Sequence, residues 1–177
     1  MKEIVSVLLV SAALSAPAFA GSDNFAVDPV GSKYAAVDLG IINYGSNSAT
    51  SIGIGAGYQF HPYVAGEIDY IFGGTYSTSV LGSSIDTSAS SLQFLAVGNM
   101  ALTNELTAFA KAGLAHNSVK VTNNFNPLAT GTASSNDLTF GIGIKYKVAK
   151  DISIRAQYQD YGTASMSVIS VGAMFAF

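Results

Sequence analysis

Ser165-Met-Ser-Val-Ile-Ser-Val-Gly-Ala-Met-Phe-Ala-Phe177 ends the sequence in a strict two-residue rhythm. Successive side chains of an extended chain point to opposite faces, so Ile169, Val171, Ala173, Phe175 and Phe177 share one side and Ser170, Gly172, Met174 and Ala176 the other. One side is greasy and the other mostly small. A chain that stops on Phe-Ala-Phe presents an aromatic strand end where a soluble protein places something water-loving, which predicts lipid as the neighbour.

The same period recurs upstream. Ser51 to Phe60 sets Ile52, Ile54, Ala56, Tyr58 and Phe60 against Ser51, Gly53, Gly55, Gly57 and Gln59, a period of two and not of 3.6. Comparable alternation marks 34–43, 64–72, 106–114, 138–148 and 152–161. In 91–100 both faces are mixed, because Leu92, Phe94 and Ala96 oppose Gln93, Leu95 and Val97. Together these segments predict an all-β, up-and-down meander of about eight antiparallel strands, each of roughly 9 to 11 residues. The connections at His61-Pro62, 102–105 and 149–151 are short, whereas 73–90 and 115–136 are long and rich in Ser, Thr, Gly and Asn. In a membrane barrel that asymmetry puts the turns and both termini in the periplasm and the loops outside.

Of the 177 residues, 49% are hydrophobic and only 11% charged, against roughly 25% charged in a soluble domain. No apolar run reaches the ~18 to 20 residues of a spanning helix, and the longest, 4–14, is interrupted by Ser6 and Ser11. Lys2 before that run and Ala18-Phe19-Ala20 after it give the layout of a secretory signal peptide. The expected organisation is a signal peptide over 1–20, a periplasmic leader over 21–32 and a transmembrane barrel over 33–177. Without cysteine there is no disulfide framework and no thiolate metal site. Neither histidine has metal-ligand spacing, so no cofactor is expected. A formal net charge of -3 without a basic stripe argues against nucleic acid as a partner.

Alternation leaves open which face is outside. A soluble closed barrel needs bulk within and charge without. Here the polar faces carry Gly53, Gly55, Gly57, Gly141, Gly143 and Gly172, whose missing side chains relieve crowding in a narrow interior, and the bulk lies on the other faces. Tyr58, Phe60 and Tyr146 near one end of the strands, with Tyr70, Phe72 and Tyr158 near the other, supply two interfacial aromatic girdles. The expected fold is therefore an eight-stranded antiparallel transmembrane β-barrel. Asp38, Glu67, Asp69, Lys111, Lys145 and Arg155 fall at similar heights on inward faces and should meet across the lumen, since buried ions persist only when paired. Barrels this small are just wide enough for side chains to fill. A polar plug is the expectation and a small channel the alternative.

Ser170, Gly172, Phe175 and Phe177 match in register the closing-strand assembly signal of outer-membrane barrels: polar, any, Gly, any, any, aromatic, any, aromatic. With Gly55-Ala-Gly-Tyr58-Gln-Phe60-His-Pro-Tyr63 and Glu67-Ile-Asp69-Tyr70, they make the mature chain resemble small OmpA-type transmembrane domains and their opacity-protein relatives. The resemblance implies export through the periplasm to the outer membrane of a Gram-negative-type bacterium. It also implies insertion by the barrel-assembly machinery and contact with outer-membrane lipid, lipopolysaccharide included. The implied role is structural or surface-interacting: envelope integrity, adhesion or surface antigen, with any host or cell-surface ligand taken by the loops 73–90 and 115–136.

An enzyme is the competing class. His116-x-Ser118 is similar to the His-x-Ser pair of lipid A deacylases, and continuing the register of Leu114 turns both residues to the lipid side. A working site also needs an acid to orient the imidazole and an oxyanion donor. The nearest acid, Asp137, is turned inward by its parity with Leu138, so no enzyme is expected; a lipid-modifying hydrolase is the alternative. His61, beside Pro62, reads as a turn residue. Lys120 reads as a solvated loop lysine, within reach of lipopolysaccharide phosphate if the fifth strand continues above the bilayer.

Overall fold

The computed structural model describes residues 28–44, 47–80, 83–123, 130–162 and 166–177. The expected signal peptide and most of the leader lie outside the described residues. The strands run in order as β1 (Lys33–Tyr44), β2 (Asn47–His61), β3 (Val64–Gly73), β4 (Tyr76–Val80), β5 (Ser83–Ala101), β6 (Leu106–Asn123), β7 (Gly131–Ala149), β8 (Ile152–Asp160) and β9 (Met166–Ala176). Each pairs antiparallel with its neighbours, and β9 returns to β1 with Tyr34 opposite Ala176 and Tyr44 opposite Met166. β3 and β4 both pair with β5 and are two pieces of one barrel strand, interrupted at Gly74-Thr75 where the Gly74 N–H donates to Thr50 O. The result is a closed eight-stranded meander. Where all eight strands pair, closure leaves no open sheet edge, which is what a strand fold in lipid requires.

The sorting of side chains is the reverse of a soluble barrel. Leu39, Phe60, Leu114, Leu138 and Val171 are between 59% and 63% exposed on the outer wall, while Gln59, Glu67, Gln93, Lys111 and Arg155 are at most 3% exposed in the lumen. The interior is layered. Tyr34, Ala36, Ala65, Val97, Phe109 and Met174 form an apolar layer toward the rim of short turns, and Ile42, Ile71, Ala115, Tyr161, Met166 and Val168 form a second toward the opposite rim. The ions lie between them. The mixed pattern of 91–100 is explained by these layers: Gln93, Leu95 and Val97 all face inward, and Phe94 faces out.

One expectation needs correction. The segments 73–90 and 115–136 are not simply loops, because β5, β6 and β7 are 19, 18 and 19 residues long, against 10 and 9 for β3 and β8. The β5–β6 ladder continues to Ile85 opposite Asn123, the β6–β7 ladder to Val121 opposite Gly131, and β4 adds a hairpin arm on β5. These ladders rise as a β-ribbon from one side of the barrel. The reason they read as loops is physical: 131–136 are exposed on both faces, so no apolar face marks the period. Of the expected leader, Asp28 is described and bonds to Lys145 on β7.

Candidate functional site

The midpoint of the lumen is an ion cluster assembled from four strands. Arg155 on β8 grips Asp38 on β1 with two parallel bonds, Nε to Oδ1 at 2.9 Å and Nη2 to Oδ2 at 2.5 Å, and donates its remaining arm to Glu67 Oε1 at 3.0 Å. Lys111 on β6 donates to the same Glu67 oxygen and, at 3.3 Å, to Asp69 Oδ2, both on β3. The Tyr34 hydroxyl closes the network on Glu67 Oε2 at 2.5 Å. The fork of a guanidinium matches two carboxylates in a way that a lysine cannot. Breaking such a buried array by removing one partner is costly, because the other charge stays out of water.

Glycine makes the room. Gly172 on β9 stands opposite both Asp38 and Arg155, and a Cβ there would collide with Asp38 Oδ1. Gly55 stands opposite Asp69, where a Cβ would collide with Asp69 Oδ1. The remaining residues of the expected assembly signal sit as alternation requires, with Ser170 inside and Phe175 and Phe177 outside.

Of the six residues expected to meet in the lumen, the structure brings together Asp38, Glu67, Asp69, Lys111 and Arg155. Lys145 is the exception. It stands opposite Arg155 in the ladder but donates to Asp28 Oδ2 at 2.6 Å, with Lys147 4.0 Å from the other oxygen. Asp28 carried no periodic signal and was invisible in the sequence, whereas Tyr34 shares the inward parity of Asp38 and was legible from it. Gln59, also inward, caps the His61-Pro62 turn from within by donating to both carbonyls, at 2.7 and 3.1 Å.

Above the ions lies a neutral polar layer that sequence reading missed. Gln93 donates to the Tyr161 hydroxyl at 2.6 Å and to Ser91 at 3.3 Å, and Gln159 donates to Gln93 Oε1 at 2.5 Å and to Thr139 at 3.0 Å. Nearer the ribbon, Asp137 accepts from Asn117 at 2.8 Å and Ser135 at 2.6 Å. Two cavities interrupt this packing, each of about 10 Å³, room for about one water.

On the outer wall, Tyr58 and Phe60 meet edge to face at 4.8 Å, and Tyr70 and Phe72 at 4.5 Å. Tyr146 and Tyr158 are exposed there as well. His116 is exposed, its Nδ1 lying 2.8 Å from Asn136 Oδ1. Ser118 stands two pairs further up the ladder, opposite Ser90 and Ser134. Asp137 is buried on the opposite face, so His116 meets an amide where a hydrolytic triad needs an acid.

The family model for the outer membrane protein beta-barrel domain matches residues 6–177. The chain belongs to the outer-membrane β-barrel family. No curated protein matches it in sequence, so the likeness of these outer-membrane barrels is carried by fold. The N-terminal barrel domain of Pseudomonas aeruginosa OprF superposes with a TM-score of 0.64 at 19% identity, over 85% of this chain and 100% of that one. Neisserial surface protein A gives 0.63 at 18% identity, over 82% and 96%. Ail, the attachment invasion locus protein of Yersinia pestis, solved in complex with the heparin analogue sucrose octasulfate, gives 0.61 at 15% identity, over 84% and 100%. Membership places this barrel in the outer membrane, and its apolar outer wall is the lipid-facing one.

Proposed function

We propose that this barrel is a filled scaffold that holds the β4–β7 ribbon outside the cell to bind a surface partner, with neither conductance nor catalysis as its task. The observation that carries the reading is the contrast between the two ends of the same strands. In the barrel, inward side chains bond to one another around cavities of about 10 Å³, too small for a continuous water path. In the ribbon, β5, β6 and β7 run well beyond the ~9 to 11 residues that a bilayer needs, and exposed segments on a rigid support are where recognition is usually placed.

The ribbon's chemistry narrows the partner. Among the described residues of the ribbon Lys120 is the one cation, against Asp86 and Asp137, and the rest is largely Ser, Thr and Asn. That suits a neutral, hydrogen-bonding partner such as a glycan better than a polyanion. Contact with lipopolysaccharide and delivery by the assembly machinery belong to the same reading.

The test replaces Val119 to Ala133 by Asn-Gly, joining Ser118 to Ser134, which already face each other, through a two-residue hairpin turn. Glycan-array binding in nanodiscs should be lost while the heat-modifiable gel shift of a folded barrel is kept. Unchanged binding would overturn the ribbon as the interaction surface. In planar bilayers the intact protein should show no persistent channels, and their appearance would overturn the filled lumen.

A further inference from the structure

We propose that residues 28–32 form a strap across the short-turn mouth of the lumen, latched by Asp28 and opened when that latch is lost. The strap is held at two separate places. At one, Ser32 N donates to Pro29 O at 3.1 Å and Gly31 has a φ of 90°, a type II turn whose third residue is best a glycine. That turn is tied to β2, with Gly31 N donating to Gln59 O at 2.9 Å and Gln59 N to Ser32 O at 3.0 Å. At the other, Asp28 accepts from Lys145 Nζ on β7 at 2.6 Å.

Topology decides what lies between the two. In the ring β9 and β8 separate β1 from β7, and Lys145 is an inward residue, 6% exposed. A segment entering β1 reaches an inward side chain three strands away only by crossing the end of the lumen, because the outer route leaves the wall of β8 and β9 in between. Exposure agrees. The Asp28 side chain is 11% exposed, whereas Pro29, Val30 and Gly31 are open to solvent, so the strap has one face toward the lumen and one away from it.

Beneath the strap there is something to close. A cavity of about 10 Å³ interrupts the apolar layer on this side, lined by Val97, Asn99 and Lys145 and, from the ion cluster, by Glu67, Lys111 and Arg155. Bulk water admitted there would screen those ion pairs. The latch is a single carboxylate with Lys145 bonded to it and Lys147 4.0 Å away. Removing it leaves Lys145 uncompensated and frees the end of the strap, while β1 keeps both of its neighbours. The strap lies at the end of the barrel away from the ribbon, so its failure would leave the ribbon's role untouched.

The sequence has no cysteine, so a single Val97→Cys in the detergent-folded protein reports access to this cavity through its rate of reaction with a neutral maleimide. Val168→Cys, which lines the cavity on the far side of the ions, is the control for general loosening. Adding Asp28→Ala should speed labelling at position 97 by about tenfold or more, as local opening does, and leave position 168 unchanged. Asp28→Glu should keep the slow rate. Gly31→Val, which alters no charge but strains the turn, should speed it as well. Asn99→Cys, on the same cavity, serves where Val97→Cys does not fold. Rates unchanged by both strap variants would overturn the proposal. So would equal acceleration at positions 97 and 168, which assigns the Asp28 bond to overall stability and not to closure.

Discussion

The lower belt of the barrel and the ribbon above it share strands, ladder and period, yet only the belt is ordered by its two faces. Around Leu39 the outer wall meets hydrocarbon and the inner wall meets ions, so each position has one acceptable polarity. Around Ser134 both faces meet water, and either polarity is tolerated. A β-strand's sequence records its surroundings more than its backbone. The hydrogen-bonded ladder of β5, β6 and β7 passes from one environment to the other without a break, and the side chains change character where the environment does.

The sharpest way to break the belt is from within. Arg155→Leu would leave Asp38 without its two donors and Glu67 without one, and should cost about 3 to 5 kcal/mol by urea unfolding in detergent micelles. A loss near zero would mean that the cluster is hydrated and that the belt is not the closed compartment described. Next comes the outer wall: Leu39→Arg, at mid-height on β1, should cost about 2 to 4 kcal/mol in lipid. The same introduced residue on the ribbon, Ser134→Arg, should stay within about 0.5 kcal/mol. Equal costs for the two would erase the distinction between belt and ribbon. The smallest effect is expected at the boundary, where His116→Ala should leave lipid A acylation in cells unchanged, because the ring is held by Asn136 and faces no acid. A lost or gained acyl chain would restore the hydrolase reading.

Most of the belt was legible in advance. Alternation in 51–60 and 166–177 assigned the faces, inward glycines identified the narrow side, and five of the ionic residues could be placed at one height by counting from the turns. The sixth, Lys145, falls there too, opposite Arg155, but its partner was hidden, because Asp28 comes from a segment without periodicity. Ser91, Gln93, Thr139, Gln159 and Tyr161 were also missed, since a neutral polar layer looks like ordinary inward polarity until the strands are closed.

What one-dimensional order settled here is the inside-out sorting, because a period of two in a chain with few charges has few other solutions in lipid. What needed the closed barrel is everything that depends on shear and on distant strands. That includes which carboxylates Arg155 and Lys111 reach and how far β5 to β7 continue as a ribbon. The ion pairs join residues more than forty positions apart, and local sequence carries no signal for them; where both faces are wet, it carries none for the strand either.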